Sequence, residues 1–139
     1  MKIISIDHVQ LAMPIGEEEK AREFFTNILG FIELPKPPKL AKRGGVWFQN
    51  VPQNVPTAVE LPSGTESSGT VQLHLGVEAD FHPARKAHPA FVVDDLDALI
   101  AKAQSAGYEA DTSQPPLDGY KRAHVFDPFG NRIELMERR

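Results

Sequence analysis

The stretch Asp127–Leu135, "DPFGNRIEL", joins a turn to a strand. Asp-Pro-Phe-Gly-Asn has the residues that close a chain reversal, and Arg-Ile-Glu-Leu-Met continues in extended form. Side chains alternate between the two faces of a strand. Ile133 and Leu135 therefore share one face, and Arg132, Glu134 and Met136 the other. A carboxylate opposite an apolar pair is either a solvated edge residue or one arm of a site, and the remainder of the chain decides between them.

Working outward from that strand, the second half of the chain has a clear order. "HPAFVVDD" reads as a strand ending in helix-capping residues, and "LDALIAKAQSAG" as a helix with Leu96, Leu99, Ile100 and Ala103 on one face and Gly107 as its cap. A short strand "YEA", a Pro-rich loop "QPPLDGYKR" and a strand "AHVF" lead to the opening motif.

The first half has the same order. Ile3–Met13 is an apolar, β-branched strand closed by Pro14. "EEEKAREFFTNILG" is a helix with Ala21, Phe24, Phe25, Ile28 and Leu29 at helical spacing and Gly30 at its end. Strand "FIEL", loop "PKPPKLAKRGG", strand "VWFQN" and strand "VQLHLGV" follow. His8 overlays His88, Gly30-Phe31 overlays Gly107-Tyr108, Pro37-Pro38 overlays Pro115-Pro116, and Phe48 overlays Phe126. The chain is a duplicated strand-helix-strand-strand-strand unit, with module one at 1–80 and module two at 84–139. His74 lies 26 residues after Phe48, against eight from Phe126 to Glu134, so the first unit carries about 18 extra residues. That insertion, in residues 51–70, is rich in Pro, Gly, Ser and Thr and reads as a flap or as plain disorder.

At 139 residues, 41% apolar and 24% charged, the composition is that of one globular domain. A net charge of −4 argues against a nucleic-acid partner. No apolar run is long enough to span a membrane, and "MKIISIDHVQL" is interrupted by Asp7 and His8 where a signal peptide needs an apolar stretch. With no cysteine, disulfides, thiolate metal sites and a cysteine nucleophile are excluded. A cytoplasmic protein is expected.

The same parity applied to the other outer strands places His8 opposite Val9, Leu11 and Met13, His74 opposite Val71, Leu73 and Leu75, and His88 opposite Phe91 and Val93. The helices need the apolar faces. His8, His74, His88 and Glu134 thus occupy the faces the helices leave bare, and two sheets facing each other around a pseudo-twofold would bring them together. Three imidazoles and a carboxylate suit zinc, nickel, iron or manganese. Taken singly, each also has an ordinary reading: His8 and His88 as hydrogen-bonded core histidines, His74 as a cross-strand polar partner, Glu134 as a strand residue paired with Arg132 or Arg122.

"IDHVQLAMP", "EFFTNILGF", "HPAFVVDDLDAL" and above all "DPFGNRIEL" resemble the glyoxalase/bleomycin resistance/extradiol dioxygenase superfamily, the vicinal oxygen chelate proteins, over nearly the whole chain. The resemblance implies an α+β fold of two βαβββ modules forming a partly open barrel. It also implies a divalent metal held from the first and last strands of each module, at His8, His74, His88 and Glu134. His74 stands where glyoxalase I-like members have Glu, which removes a second carboxylate and speaks against glyoxalase I activity itself.

The expected function is a metal-dependent lyase, isomerase or dioxygenase acting on a small oxygenated molecule. Glu134 and His124 are its candidate catalytic groups, the latter placed beside Glu134 across the hairpin. Trp47, Phe48 and Phe126 are candidate pocket walls, and Gln10 and Arg122 candidate substrate contacts, with core packing and solvent exposure as the competing readings. The alternative is a metal-free protein that binds or sequesters an antibiotic in the same cleft. Fosfomycin transfer is disfavoured, since Lys121 and Arg122 are the only cations in evidence for a phosphonate. A homodimer, or an intramolecular pair of modules, is expected, because each half-barrel has a concave face to close, and the resemblance implies a cleft built either within one chain or between two.

Overall fold

The computed structural model describes residues 1–52 and 70–139. Most of the expected flap, residues 53–69, lies outside them. The first unit runs β1 (His8–Met13), α1 (Glu18–Arg22), β2 (Ile32–Leu34), α2 (Pro38–Ala41), β3 (Val46–Gln49) and β4 (Gln72–Val77). The second runs β5 (Ala90–Val92), α3 (Leu96–Ser105), β6 (Ala110–Asp111), β7 (Tyr120–Phe126) and β8 (Arg132–Arg138). The strand orders are β1-β4-β3-β2 and β5-β8-β7-β6, the same arrangement twice. In each, the first strand runs parallel to the last and the inner pairs are antiparallel. The duplication and the α+β architecture read from the sequence are both present.

The helices follow their sequence signals. Asp95 caps α3 by accepting from the Ala98 N–H at 3.0 Å, and Leu96, Ile100 and Ala103 are buried beneath it. α1 passes without a break into π-helical turns over Glu23–Ile28. The wider turns lay Phe24, Phe25 and Ile28 against the core together with Ala21. Gly30 (φ 74°) and Gly107 (φ 89°) end the two helices in the left-handed region, where a side chain would be strained.

The sequence expectation differs from the structure at two places in the first unit. The strand expected from Ile3 begins only at His8, whose pairing with Gln72 is the first register pair of β1 with β4 among the described residues. Ile3, Ile4 and Ile6 lie ahead of it, exposed. The stretch expected as loop contains α2, which starts with Pro38 at a position where its fixed φ suits a helix and its missing N–H costs nothing.

One core joins the units. Phe24 packs edge-on against Tyr108 with centroids 4.8 Å apart, and Phe31 against Phe91 at 5.7 Å. The apolar sheet faces of both units contribute to it, including Leu73, Leu75, Ile133 and Leu135. The opposite faces therefore carry the polar residues singled out above.

Candidate metal centre

β8 places Glu134 between two neighbours. On one side its register partner is His124 of β7. On the other its backbone N–H donates to the Pro89 carbonyl at 3.0 Å, which brings His88 alongside. The result is a cluster in which one ligand atom each from His88, His124 and Glu134 lie within 4.8 Å of one another. It is the only such group of three among the described residues.

The carboxylate of Glu134 is buried, and both oxygens are engaged. Arg122 donates from Nη1 to Oε1 at 3.0 Å, and His88 Nε2 lies 3.0 Å from Oε2. Burial alone would raise the Glu134 pKa, but the hydrogen bonds from Arg122 and His88 outweigh it and hold the group below the usual carboxylate range. Arg122 is further fixed by donating from Nε to the Pro115 carbonyl at 2.9 Å. Lys121 is turned away, in ion pairs with Asp97 and Glu137.

His88 is oriented through its other nitrogen. Nδ1 lies 2.7 Å from the Lys86 carbonyl, which can only accept, so Nδ1 carries hydrogen. A neutral ring then presents a lone pair at Nε2, and that lone pair faces a carboxylate oxygen. Two acceptors 3.0 Å apart repel unless a cation lies with them: a proton, making His88 an imidazolium, or a metal ion. The donor set therefore fits a divalent ion.

His124 is 1% exposed, and its Nε2 has no hydrogen-bond partner among the described residues; Glu134 Oε2 is 3.9 Å away. Burial, and then the Arg132 guanidinium, push the His124 pKa down. Its ring stands perpendicular to that of His88, at 87° and 5.2 Å between centroids.

His8 and His74 lie on the other sheet, outside this cluster. They form a column with Trp47: Trp47 stacks on His74 at 4.0 Å, and His74 on His8 at 4.1 Å. His74 is buried, and desolvation followed by the neighbouring His8 lowers its pKa to about 4. His8 is exposed and hydrogen-bonded to Asp7 at 2.8 Å. At 4.1 Å between centroids and 17° between planes, the lone pairs of the two rings lie in separate, nearly parallel planes, so in this arrangement the two rings do not chelate one ion together. Trp47 thus lines the polar face and Phe48 is a core residue, while Phe126, buried but outside the core cluster, shares the face of His124 with the Arg85 guanidinium 4.3 Å from its ring centroid. Gln10 lies over Gly76.

Of the residues singled out from sequence, the structure brings together His88, Glu134, His124 and Arg122. Arg132, which the sequence offers only as a partner for Glu134, contacts His124 instead, with Nη2 3.3 Å from Nδ1. The signal available for it was parity: Arg132 shares the face of Glu134 one step earlier on the same strand.

The comparisons with known proteins agree with this architecture. The family model for the glyoxalase/bleomycin resistance protein/dioxygenase superfamily matches residues 5–135. The chain belongs to that superfamily. Among solved structures, a Bacillus anthracis protein assigned to the glyoxalase family is 40% identical, with a TM-score of 0.76 over 100% of this chain and 98% of its own. TnmS3, an antibiotic binding protein from Streptomyces sp. CB03234, is 24% identical with a TM-score of 0.63 over 99% of this chain and 100% of its own. The fosfomycin resistance protein FosX from Listeria monocytogenes is 16% identical with a TM-score of 0.67 over 98% and 94%. The last two likenesses concern the fold. No curated protein matches the chain. No helix among the described residues is long and apolar enough to cross a membrane.

Proposed function

We propose that this superfamily member is a divalent-metal-dependent enzyme of the lyase, isomerase or dioxygenase type, acting on a small oxygenated molecule. The observation that carries the reading is the pair His88–Glu134. An imidazole locked by the Lys86 carbonyl aims Nε2 at a carboxylate oxygen 3.0 Å away, an arrangement that needs a cation. His88 and Glu134 are the ligands on the second sheet. A bound divalent ion would supply Lewis acidity toward neighbouring substrate oxygens. Zinc, nickel, iron and manganese all suit this donor set.

The ligand set is completed from the first sheet by His8, with His74 stacked behind it as support. Since His8 stands outside the cluster in a single chain, we propose that a second copy supplies it. Three features support the dimer: the exposed Ile3, Ile4 and Ile6 just ahead of His8, and the outer edges of β1 and β5, each without a strand partner among the described residues. Arg122 holds Glu134 in place, and His124 is the polar group beside it.

A metal-free binding protein is the second reading, and one observation favours it. With His88 protonated, Arg122 and His88 together satisfy both oxygens of Glu134 without an ion. The fold serves an antibiotic binding protein in TnmS3, so the architecture is compatible with either.

The deciding experiment is calorimetric titration of chelator-stripped protein with zinc, nickel, manganese and ferrous iron, followed by a panel of small oxygenated substrates with the tightest ion. Saturable binding near one ion per chain, lost in His88→Ala, supports the enzyme. Absence of binding at micromolar concentrations transfers the cleft to the metal-free reading.

A further inference from the structure

We propose that Arg132 is a positioning residue that fixes the neutral His124 ring as its Nε2–H tautomer, so that His124 presents the site with a hydrogen-bond donor and not with a third metal ligand. The significance for catalysis rests on the metal-site reading of His88 and Glu134; the tautomer itself does not.

The inference follows from donor and acceptor inventories. A guanidinium only donates. Arg132 Nη2 lies 3.3 Å from His124 Nδ1, so that nitrogen offers its lone pair. A neutral imidazole has one lone pair and one N–H, and the hydrogen is therefore on Nε2. His88 differs: its Nδ1 donates to a backbone carbonyl, and its Nε2, 3.0 Å from Glu134 Oε2, has a proton or an ion between it and that oxygen. Two perpendicular histidines beside one carboxylate are thus oriented by opposite partners at Nδ1, a pure acceptor for His88 and a pure donor for His124. Ligation through His124 Nε2 would need the reverse tautomer, with an N–H thrust at the Arg132 guanidinium.

The second observation is the orphaned nitrogen. His124 Nε2 is buried, faces the cluster and has no partner among the described residues, while Glu134 Oε2 at 3.9 Å is beyond hydrogen-bond length. Buried donors are almost always satisfied, so this one is built for an acceptor that arrives with the substrate. The groups around it are Arg132 on β8, Arg122 on β7, Glu134 and His88. The chemistry they select at that position is an oxygen acceptor on a small molecule, a carbonyl or an anionic oxygen, which the His124 N–H holds as charge develops. A hydroxyl or amine offering its own hydrogen there would meet a donor.

The test is nitrogen NMR on ¹⁵N-histidine-labelled, metal-free protein above neutral pH, where long-range proton correlations identify which ring nitrogen carries hydrogen. The expected result is Nε2–H, with a bare Nδ1, at His124. Arg132→Met should shift the His124 nitrogens toward a tautomer mixture, and Arg132→Lys, which keeps a donor, should restore the wild-type pattern. Circular dichroism checks that each variant folds. Nδ1–H at His124 in the wild type, or an unchanged pattern in Arg132→Met, overturns the proposal. Zinc titration of the same sample should move the His88 nitrogens and leave the His124 Nε2–H signal in place; loss of that signal on zinc binding also overturns it. If zinc moves neither ring while the His124 tautomer is as expected, the positioning role stands and the metal reading falls.

Discussion

Asn131 Nδ2 donates to the Ala12 carbonyl at 2.8 Å, tying the turn of the second unit to the first strand of the first across 119 positions of sequence. The same side chain also donates to Asp127 Oδ2 at 2.8 Å and accepts the Ala84 N–H at 3.0 Å. Asp127 in turn accepts the backbone N–H groups of Phe129 and Asn131. The "DPFGN" turn is thus a buried polar clasp, holding β1, the inter-unit linker and β8 together at the end of the strand that carries Glu134.

Removing the clasp should be costly. Asn131→Ala leaves the Ala12 carbonyl, the Ala84 N–H and a buried carboxylate short of partners, at about 1–3 kcal/mol for each group left unsatisfied. A total loss of about 3 kcal/mol is expected, read as a lower urea midpoint. A loss below about 1 kcal/mol would mean that water replaces the bonds and that the clasp is dispensable.

Much of this geometry was legible in the sequence because it is periodic. The two-residue period put Glu134 opposite Ile133 and Leu135, and the hairpin placed His124 across from it. The paired glycines marked both helix ends. What sequence could not give is any relation that depends on a partner in space. Ile3 has every residue property of a strand and lies ahead of one, since the first pair of β1 with β4 among the described residues is His8–Gln72. His8 and His88 occupy equivalent places in their units, but the distance between sheets is not a property of either pattern. The bond between Arg132 and His124 depends on how one long side chain bends over its strand, which parity admits but does not choose.

The stacked His74 predicts a pH dependence. Its folded pKa of about 4 lies below the ordinary 6.5, so as pH falls the unfolded chain takes up the proton first. Stability contributed by the neutral ring is complete above about pH 6.5 and is lost progressively as pH falls toward 4. The full effect is on the order of 3 kcal/mol. Urea unfolding of wild type and His74→Gln at pH 7 and pH 5 reads it: the wild type should lose more stability between the two than the variant. Equal losses would place the titration elsewhere.

Gly45 and Gly107 form a matched pair for separating strain from collision. Both have φ in the left-handed region, at 83° and 89°. A Cβ on Gly45 would lie 2.2 Å from the Leu75 carbonyl oxygen, whereas one on Gly107 would meet nothing within 4 Å. Gly107→Ala should cost about 1–2 kcal/mol, the price of the left-handed conformation alone. Gly45→Ala adds backbone displacement in the sheet that carries His74 and should cost clearly more. Similar losses of thermal stability in the two would show that β3 and β4 separate without penalty.

The sharing of a site between two chains is open to complementation. His8→Ala removes the first-sheet ligand and Glu134→Gln the second-sheet carboxylate, and each variant alone should lose its metal with secondary structure intact. In a mixed dimer of the two, one site combines both lesions and the other combines neither. Random mixing makes half the dimers mixed, so roughly a quarter of wild-type metal should return after co-refolding, and none in either variant by itself. Metal per chain after gel filtration gives the number. If the mixture stays empty while both variants form dimers, His8 and Glu134 do not meet across chains. Retention of metal by His8→Ala alone would remove His8 from the ligand set, leaving His88 and Glu134 to be completed by His74 or by solvent. Retention by Glu134→Gln would be more damaging, since the carboxylate buried between Arg122 and His88 would then be a structural ion pair and the metal reading would lose the observation that carries it.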